Sequence, residues 1–286
     1  MTVGRFFRTP KGVLILLLVP LTVLASTTAG GIGVLPFLAA GAGAAMVVDL
    51  AVLRARKGRW IFPSGALLTG WIVVLVLNPS EPLYVAAVAA AVAVVSKYLL
   101  RSGTANVFNP AALGLVATFH LFDPRQNWWG ALPEIHPAAL VLLLAAGLFV
   151  TDRVQRLPAM TSFLFVYFLL FSTTAFLGDP GAVAPIFRPP DLNAALFFAF
   201  FMVTDPPTSP AGTADQLTFG ALTAGVAYLI FELGGPVYFL LAGLLVANAW
   251  QAWRRVRDRT RRAAERAGRR PAASAGTAVP APARQG

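Results

Sequence analysis

Cysteine is absent from this chain of 286 residues, and histidine occurs only twice, as His120 and His136. The first absence excludes disulfides, a thiol nucleophile and any iron–sulfur cluster held by the chain's own thiolates. The second argues against a dedicated zinc site. Charge is scarce as well: 12% of residues are Asp, Glu, Lys or Arg, about half the share in soluble domains. There is no Walker motif, dinucleotide fingerprint, catalytic carboxylate pair or Ser/His/Asp set, which argues against a hydrolase.

What is present is apolar. Hydrophobic residues make up 57% of the chain, more than a soluble fold can hide, so lipid is the expected solvent for much of it. Ten segments qualify as spans: 12–28, 31–53, 62–78, 83–100, 107–121, 136–151, 158–177, 191–204, 217–233 and 236–253. Several fall short of the roughly 20 residues that cross a bilayer. With many Gly and Pro, that predicts broken or tilted helices whose loose backbone is sheltered inside the protein.

Charge placement agrees with ten spans. With the N-terminus in the cytoplasm, the basic residues from Arg54 to Arg59, Lys97 with Arg101, and Arg153 with Arg156 all fall on the cytoplasmic side, as does the C-terminal tail. The outer loops keep only Arg125 and Arg188, and Trp128 and Trp129 fit an interfacial belt. The expected location is therefore the cytoplasmic membrane, multi-pass, with both termini inside. Val13–Thr28 reads as the first span rather than a cleaved leader. Residues 1–253 form the transmembrane domain and 254–286 a basic tail, helical along the membrane surface at first and disordered at its end. Nine arginines between Arg254 and Arg270 supply much of the +11 net charge; next to a span they suit anionic lipid rather than nucleic acid.

An internal repeat is visible. Tyr98–Val116 laid over Tyr228–Val246 pairs Tyr98 with Tyr228, Val107 with Val237 and Leu115 with Leu245, although any two Leu-, Ala- and Val-rich helices match in part by composition. Five spans per half would make repeat one (about 12–121) and repeat two (about 136–253) inverted, with a site at their interface.

Three segments stand out. In Asn106-Val107-Phe108-Asn109-Pro110-Ala111-Ala112, Asn109 suits an N-cap and Pro110 the first turn, so a helix starts there; an ordinary surface cap is the competing account. In Phe201 to Pro210, three prolines forbid a continuous helix, while Thr204, Asp205, Thr208 and Ser209 supply what a buried break needs; a surface turn competes equally. Phe62 to Gly70 is a helix start with a small-residue face. Close helix packing accounts for it and for Gly30, Gly31, Gly41, Gly43 and Gly114. Asp49 is either an ion-pathway residue or a snorkelling partner of Arg54.

Lys97-Tyr98-Leu99-Leu100 with Asn106 to Gly114, and Phe200 to Pro206 continuing through Thr208-Ser209-Pro210 to Leu222, resemble two signatures of the NqrB/RnfD family. Val154-Gln155-Arg156-Leu157-Pro158 is similar to a shorter motif before a span. The likeness runs from about Phe62 to Ala249. These proteins are flavin-carrying membrane subunits of ion-translocating NADH:quinone and NADH:ferredoxin oxidoreductases. The resemblance implies an all-α polytopic fold in two inverted five-helix halves, similar to ammonium and urea transporters. Family members with covalent FMN attach it to the Thr of a Ser-Gly-Ala-Thr motif between the fifth and sixth spans. This chain reads His120 to Gly130 there with no such Thr, and Ser64-Gly65-Ala66-Leu67 lacks it too, so covalent FMN is not expected.

By resemblance, Asn106, Asn109, Thr204, Asp205, Thr208 and Ser209 line a non-covalent flavin, FMN or riboflavin, with Lys97 and Arg156 at its rim. The implied function is a membrane electron-transfer subunit of a flavin-dependent oxidoreductase, with iron–sulfur or flavin reductase partner subunits to supply what this chain lacks. The alternatives are a small-molecule transporter, for a flavin among others, and a scaffold anchored by the basic tail.

Overall fold

A computed structural model describes residues 3–103, 105–132 and 138–268. His136 and the tail from Arg269 onward lie outside the described residues. Ten helices occupy the ten apolar segments. They are α1 (Pro10–Ala29), α2 (Leu35–Lys57), α3 (Ser64–Val76), α4 (Leu83–Leu99), α5 (Pro110–Phe122), α6 (Ala138–Arg153), α7 (Leu157–Leu177), α8 (Asp191–Phe198), α9 (Thr213–Gly234) and α10 (Phe239–Gly268). Local chemistry sets the ends. Thr9 caps α1 with Pro10 in its first turn, and α2 ends where Gly58 takes a left-handed φ of 68°.

The protein is an all-α polytopic membrane protein. Among the described residues, four helices are long and apolar enough to cross a bilayer: Pro10–Ala29, Gly31–Lys57, Leu157–Leu177 and Thr213–Gly234. The pair Pro180–Phe187 and Asp191–Val203, bent by 60°, is a broken fifth span or a re-entrant loop. Leu177, Phe176 and Leu233 stand more than four-fifths exposed, which only an apolar surrounding tolerates on this scale.

The short helices are interrupted inside the protein, and their loose ends are answered there. α3, at 13 residues, is about 20 Å long, too short for a hydrocarbon core of about 30 Å. Its last carbonyls accept bonds from a returning loop: Val76 O from the N–H groups of Asn127 and Trp128, both at 3.1 Å, and Val74 O from Trp129 Nε1 at 2.7 Å. Trp128 and Trp129 are therefore not the interfacial belt that their position suggests. Both are buried, one packed on Phe197 and Phe198, the other spent on the helix end.

Asp49 likewise turns away from Arg54. It pairs with Lys97 at 2.6 Å and accepts from the Tyr98 hydroxyl at 2.6 Å, so the buried carboxylate is satisfied across α2 and α4.

α2 packs on α3 and α4, and α4 on α5; five helices later, α7 packs on α9 and α9 on α10. Glycine permits the tightest of these approaches. A Cβ at Gly114 would stand 2.5 Å from Ala89 O, and one at Gly243 would stand 2.8 Å from Thr223 O. Gly43 departs from the packing account, since nothing lies within 4 Å of its would-be Cβ, and Gly30 and Gly31 serve positive φ instead. α10 runs unbroken through Trp253, where the chain turns from apolar to basic.

Candidate functional site

The two interrupted motifs meet. Asn109 stands in extended conformation before α5 and its Oδ1 accepts the N–H of Ala112 at 3.1 Å. A helix that begins inside the protein must find partners for its first N–H groups there. The Asn109 N–H donates to Asn248 Oδ1 of α10 at 2.7 Å, and its Nδ2 donates to Met202 O at 3.3 Å. Met202 belongs to a π-turn, Ala199–Val203, which continues α8. Phe200 of this turn packs where Gly147 leaves no side chain in the way.

Beyond the π-turn, Pro206, Pro207 and Pro210 stop the helix, and the chain folds on its own polar groups. Thr204 Oγ1 donates to Phe200 O. Asp205 O accepts from the N–H of Thr208 at 3.1 Å and of Ser209 at 2.9 Å, and from Ser209 Oγ at 2.8 Å. Thr208 Oγ1 donates to Asp205 Oδ2 at 3.0 Å. Thr204, Thr208 and Ser209 are each at most 3% exposed, so these bonds replace water that the backbone has lost.

Two arginines clamp the break. Arg156, between α6 and α7, donates from Nε to Ser209 Oγ at 2.8 Å. Arg255 of α10 donates from one terminal nitrogen to Asn106 O at 3.3 Å and Pro207 O at 3.4 Å. Its other terminal nitrogen donates to Thr208 O at 3.0 Å and Ser209 O at 3.3 Å. One guanidinium fork thus ties the first motif to the second, a geometry an ammonium group cannot copy. The adjacent Arg254 pairs with Asp215 of α9 at 2.7 Å.

Burial pushes the Asp205 carboxyl up to about 6, opposed by the Thr208 hydrogen bond and by the charges of Lys11, Arg156 and Arg255. Burial lowers both guanidinium values, and the Asp205 charge counters it.

Of the residues the sequence singles out, Asn109, Thr204, Asp205, Thr208, Ser209 and Arg156 fall in this one neighbourhood, and Asn106 joins it through its carbonyl. Lys97 does not join by any hydrogen bond, being engaged by Asp49. Sequence reading missed Asn248 and Gln216, and it placed Arg255 in a lipid-facing tail. Asn248 and Gln251, polar residues three apart in apolar α10, were the available signal.

The hydroxyls of the break are committed within the chain, so these residues brace the site rather than open a cradle. Room for a bound group lies beside them, in a groove of about 530 Å³ bordered by Arg153, Gln155, Pro158, Thr213 and Gln216. Gln216 is 3% exposed. Its Nε2 donates to Gln155 O at 3.1 Å and Ala211 O at 2.9 Å, which fixes the amide orientation, while its Oε1 has no partner among the described residues. A buried acceptor left open beside a cavity fits a group that brings an N–H or O–H donor, as a flavin ring imide or ribityl chain does.

Comparison with known proteins bears on most of the chain. The family described as "NQR2, RnfD, RnfE family" matches residues 7–132 and 125–253. Among curated relatives, a subunit of the ion-translocating oxidoreductase complex of Halorhodospira halophila is 24% identical, over 72% of this chain and 77% of its own. The protein of the same description in Sodalis glossinidius is 26% identical, over 79% and 86%. A subunit of the proton-translocating ferredoxin:NAD(+) oxidoreductase complex of Clostridium ljungdahlii is 25% identical, over 77% and 66%.

Proposed function

Since the chain belongs to the NQR2, RnfD, RnfE family, we propose that it is an integral membrane subunit of an ion-translocating oxidoreductase complex, holding a non-covalent flavin for electron transfer. The observation that carries this reading is the junction itself. Arg255 and Asn109 join the two segments that resemble the family's signatures, Asn109 reaching Met202 O and Arg255 bridging Asn106 O to Thr208 O. Beside that junction lies the groove with the open Gln216 acceptor.

A bound flavin would supply the electron-carrying ring. This chain's residues would bind and tune it. Gln216 Oε1 would accept from the group, Arg156 and Arg255 would hold the wall rigid, and Asp205 would answer charge. A carboxyl that titrates at about 6 between two guanidinium groups gains or loses its proton when a neighbouring charge changes. Electrons must come from and pass to partner subunits, because this chain has no thiolate for an iron–sulfur centre.

The test is the absorption spectrum of the gently purified chain before and after denaturation and filtration. Flavin bands that dithionite bleaches, that survive long dilution of the native protein and that pass the filter after denaturation support the reading. A colourless preparation with no flavin in the filtrate removes the resident cofactor. Weak binding that exchanges on dilution would instead indicate transport.

A further inference from the structure

A second groove, of about 560 Å³, lies on the protein's surface between α2 and the irregular segment before α3. Its α2 wall is Gly43, Met46, Val47 and Leu50, one helix face by spacing. Its other wall includes Trp60 and Phe62, both more than half exposed. Gly43 leaves the floor open, with nothing within 4 Å of its would-be Cβ. Apart from the indole N–H of Trp60, no side chain bordering the groove is polar, so its occupant is apolar along its length.

The rim is different. Arg54, Arg56, Lys57 and Arg59 crowd the end of α2, all exposed. The Arg54 guanidinium lies 5.6 Å from the Trp60 ring centroid and donates to Gly58 O, which fixes a cation at the mouth of the groove. Arg56 points elsewhere, over the Tyr98 ring. The nearest acid in sequence, Asp49, is buried and spent on Lys97. Among the described residues no acid forms an ion pair with Arg54, Lys57 or Arg59.

An apolar slot opening at a cluster of uncompensated cations matches one amphiphile in charge and in polarity. We infer that this groove seats an acyl chain of an anionic glycerophospholipid whose phosphate lies against Arg54, Lys57 and Arg59. Trp60 stands at the level where chain gives way to headgroup, the depth such rings favour. The site is separate from the basic stretch of α10 and stands whether or not the chain holds a flavin.

The test places a photoreactive residue, Val47→benzoylphenylalanine, in the full-length protein. It is illuminated in vesicles of phosphatidylcholine with a minor share of phosphatidylglycerol. A lipid adduct is expected, enriched in phosphatidylglycerol roughly tenfold over its share in the vesicle. Adding R54Q, K57Q and R59Q brings the adduct back to the vesicle ratio while the adduct itself persists; the intact arginines of α10 are the internal control. Gly43→Leu, whose Cβ meets no neighbour within 4 Å, fills the floor and lowers the lipid adduct severalfold without unfolding the chain. An adduct at the bulk lipid ratio in the unmodified background overturns the inference. So does illumination in native membranes that joins Val47's position to another polypeptide, which would make the groove a subunit contact.

Discussion

Asp205 couples the break to pH. Its folded value of about 6 lies above the roughly 3.9 of an unfolded Asp, so folding favours the protonated carboxyl. That contribution is complete below the unfolded value and is lost as pH rises through the folded one. The full difference is worth up to about 3 kcal/mol. Asp205→Asn should therefore flatten the fall in thermal stability between about pH 4 and about 7, and should match or exceed the unmodified protein at pH 8. An unchanged pH profile in the variant would assign the titration elsewhere. The proline and hydroxyl pattern made a break at this residue legible. The identity of its cationic neighbours was not, because Arg255 lies 50 positions away and long-range bonds leave no local spacing.

At the scale of one element, α5 shows how a single side chain both starts a helix and docks it. Asn109 does the first through Oδ1 and the second through Nδ2. Asn109→Ala loses both, and should cost about 1 to 2 kcal/mol for the cap alone plus the bond to Met202 O. Asn109→Asp keeps the cap but faces that carbonyl with an acceptor, so thermal unfolding should separate the two functions. An Asn109→Asp variant as stable as the unmodified protein would show that docking to the π-turn contributes nothing. The helix start was readable from Asn109-Pro110, since capping is local. The returning loop over α3 was not, because Trp128 and Trp129 look alike in a belt and in a core, and only the stranded carbonyls of Val74 and Val76 decide between them.

Across the whole molecule, hydropathy located every long helix among the described residues. What it could not locate is which helices lie against each other. Those approaches depend on single glycines such as Gly114, where Gly114→Val should cost about 1 to 3 kcal/mol by overpacking against α4, read as a lower thermal midpoint or lost yield. A substitution without effect would mean that α4 and α5 separate freely. α10 carries the largest consequence. Its 30 residues span about 45 Å, and Asn248, Arg254 and Arg255 grip the first motif, α9 and the break from a single continuous rod. Force applied by a docked neighbour at the far basic turns is therefore delivered as torque to three contacts together, making α10 a lever rather than an anchor. A Gly-Pro insertion after Thr260, downstream of all three grips and of the Arg259 bond to Ser102 O, should leave the purified chain as stable as before yet disconnect any partner-induced shift in the Asp205 titration; persistence of that shift would show that the signal enters by another route.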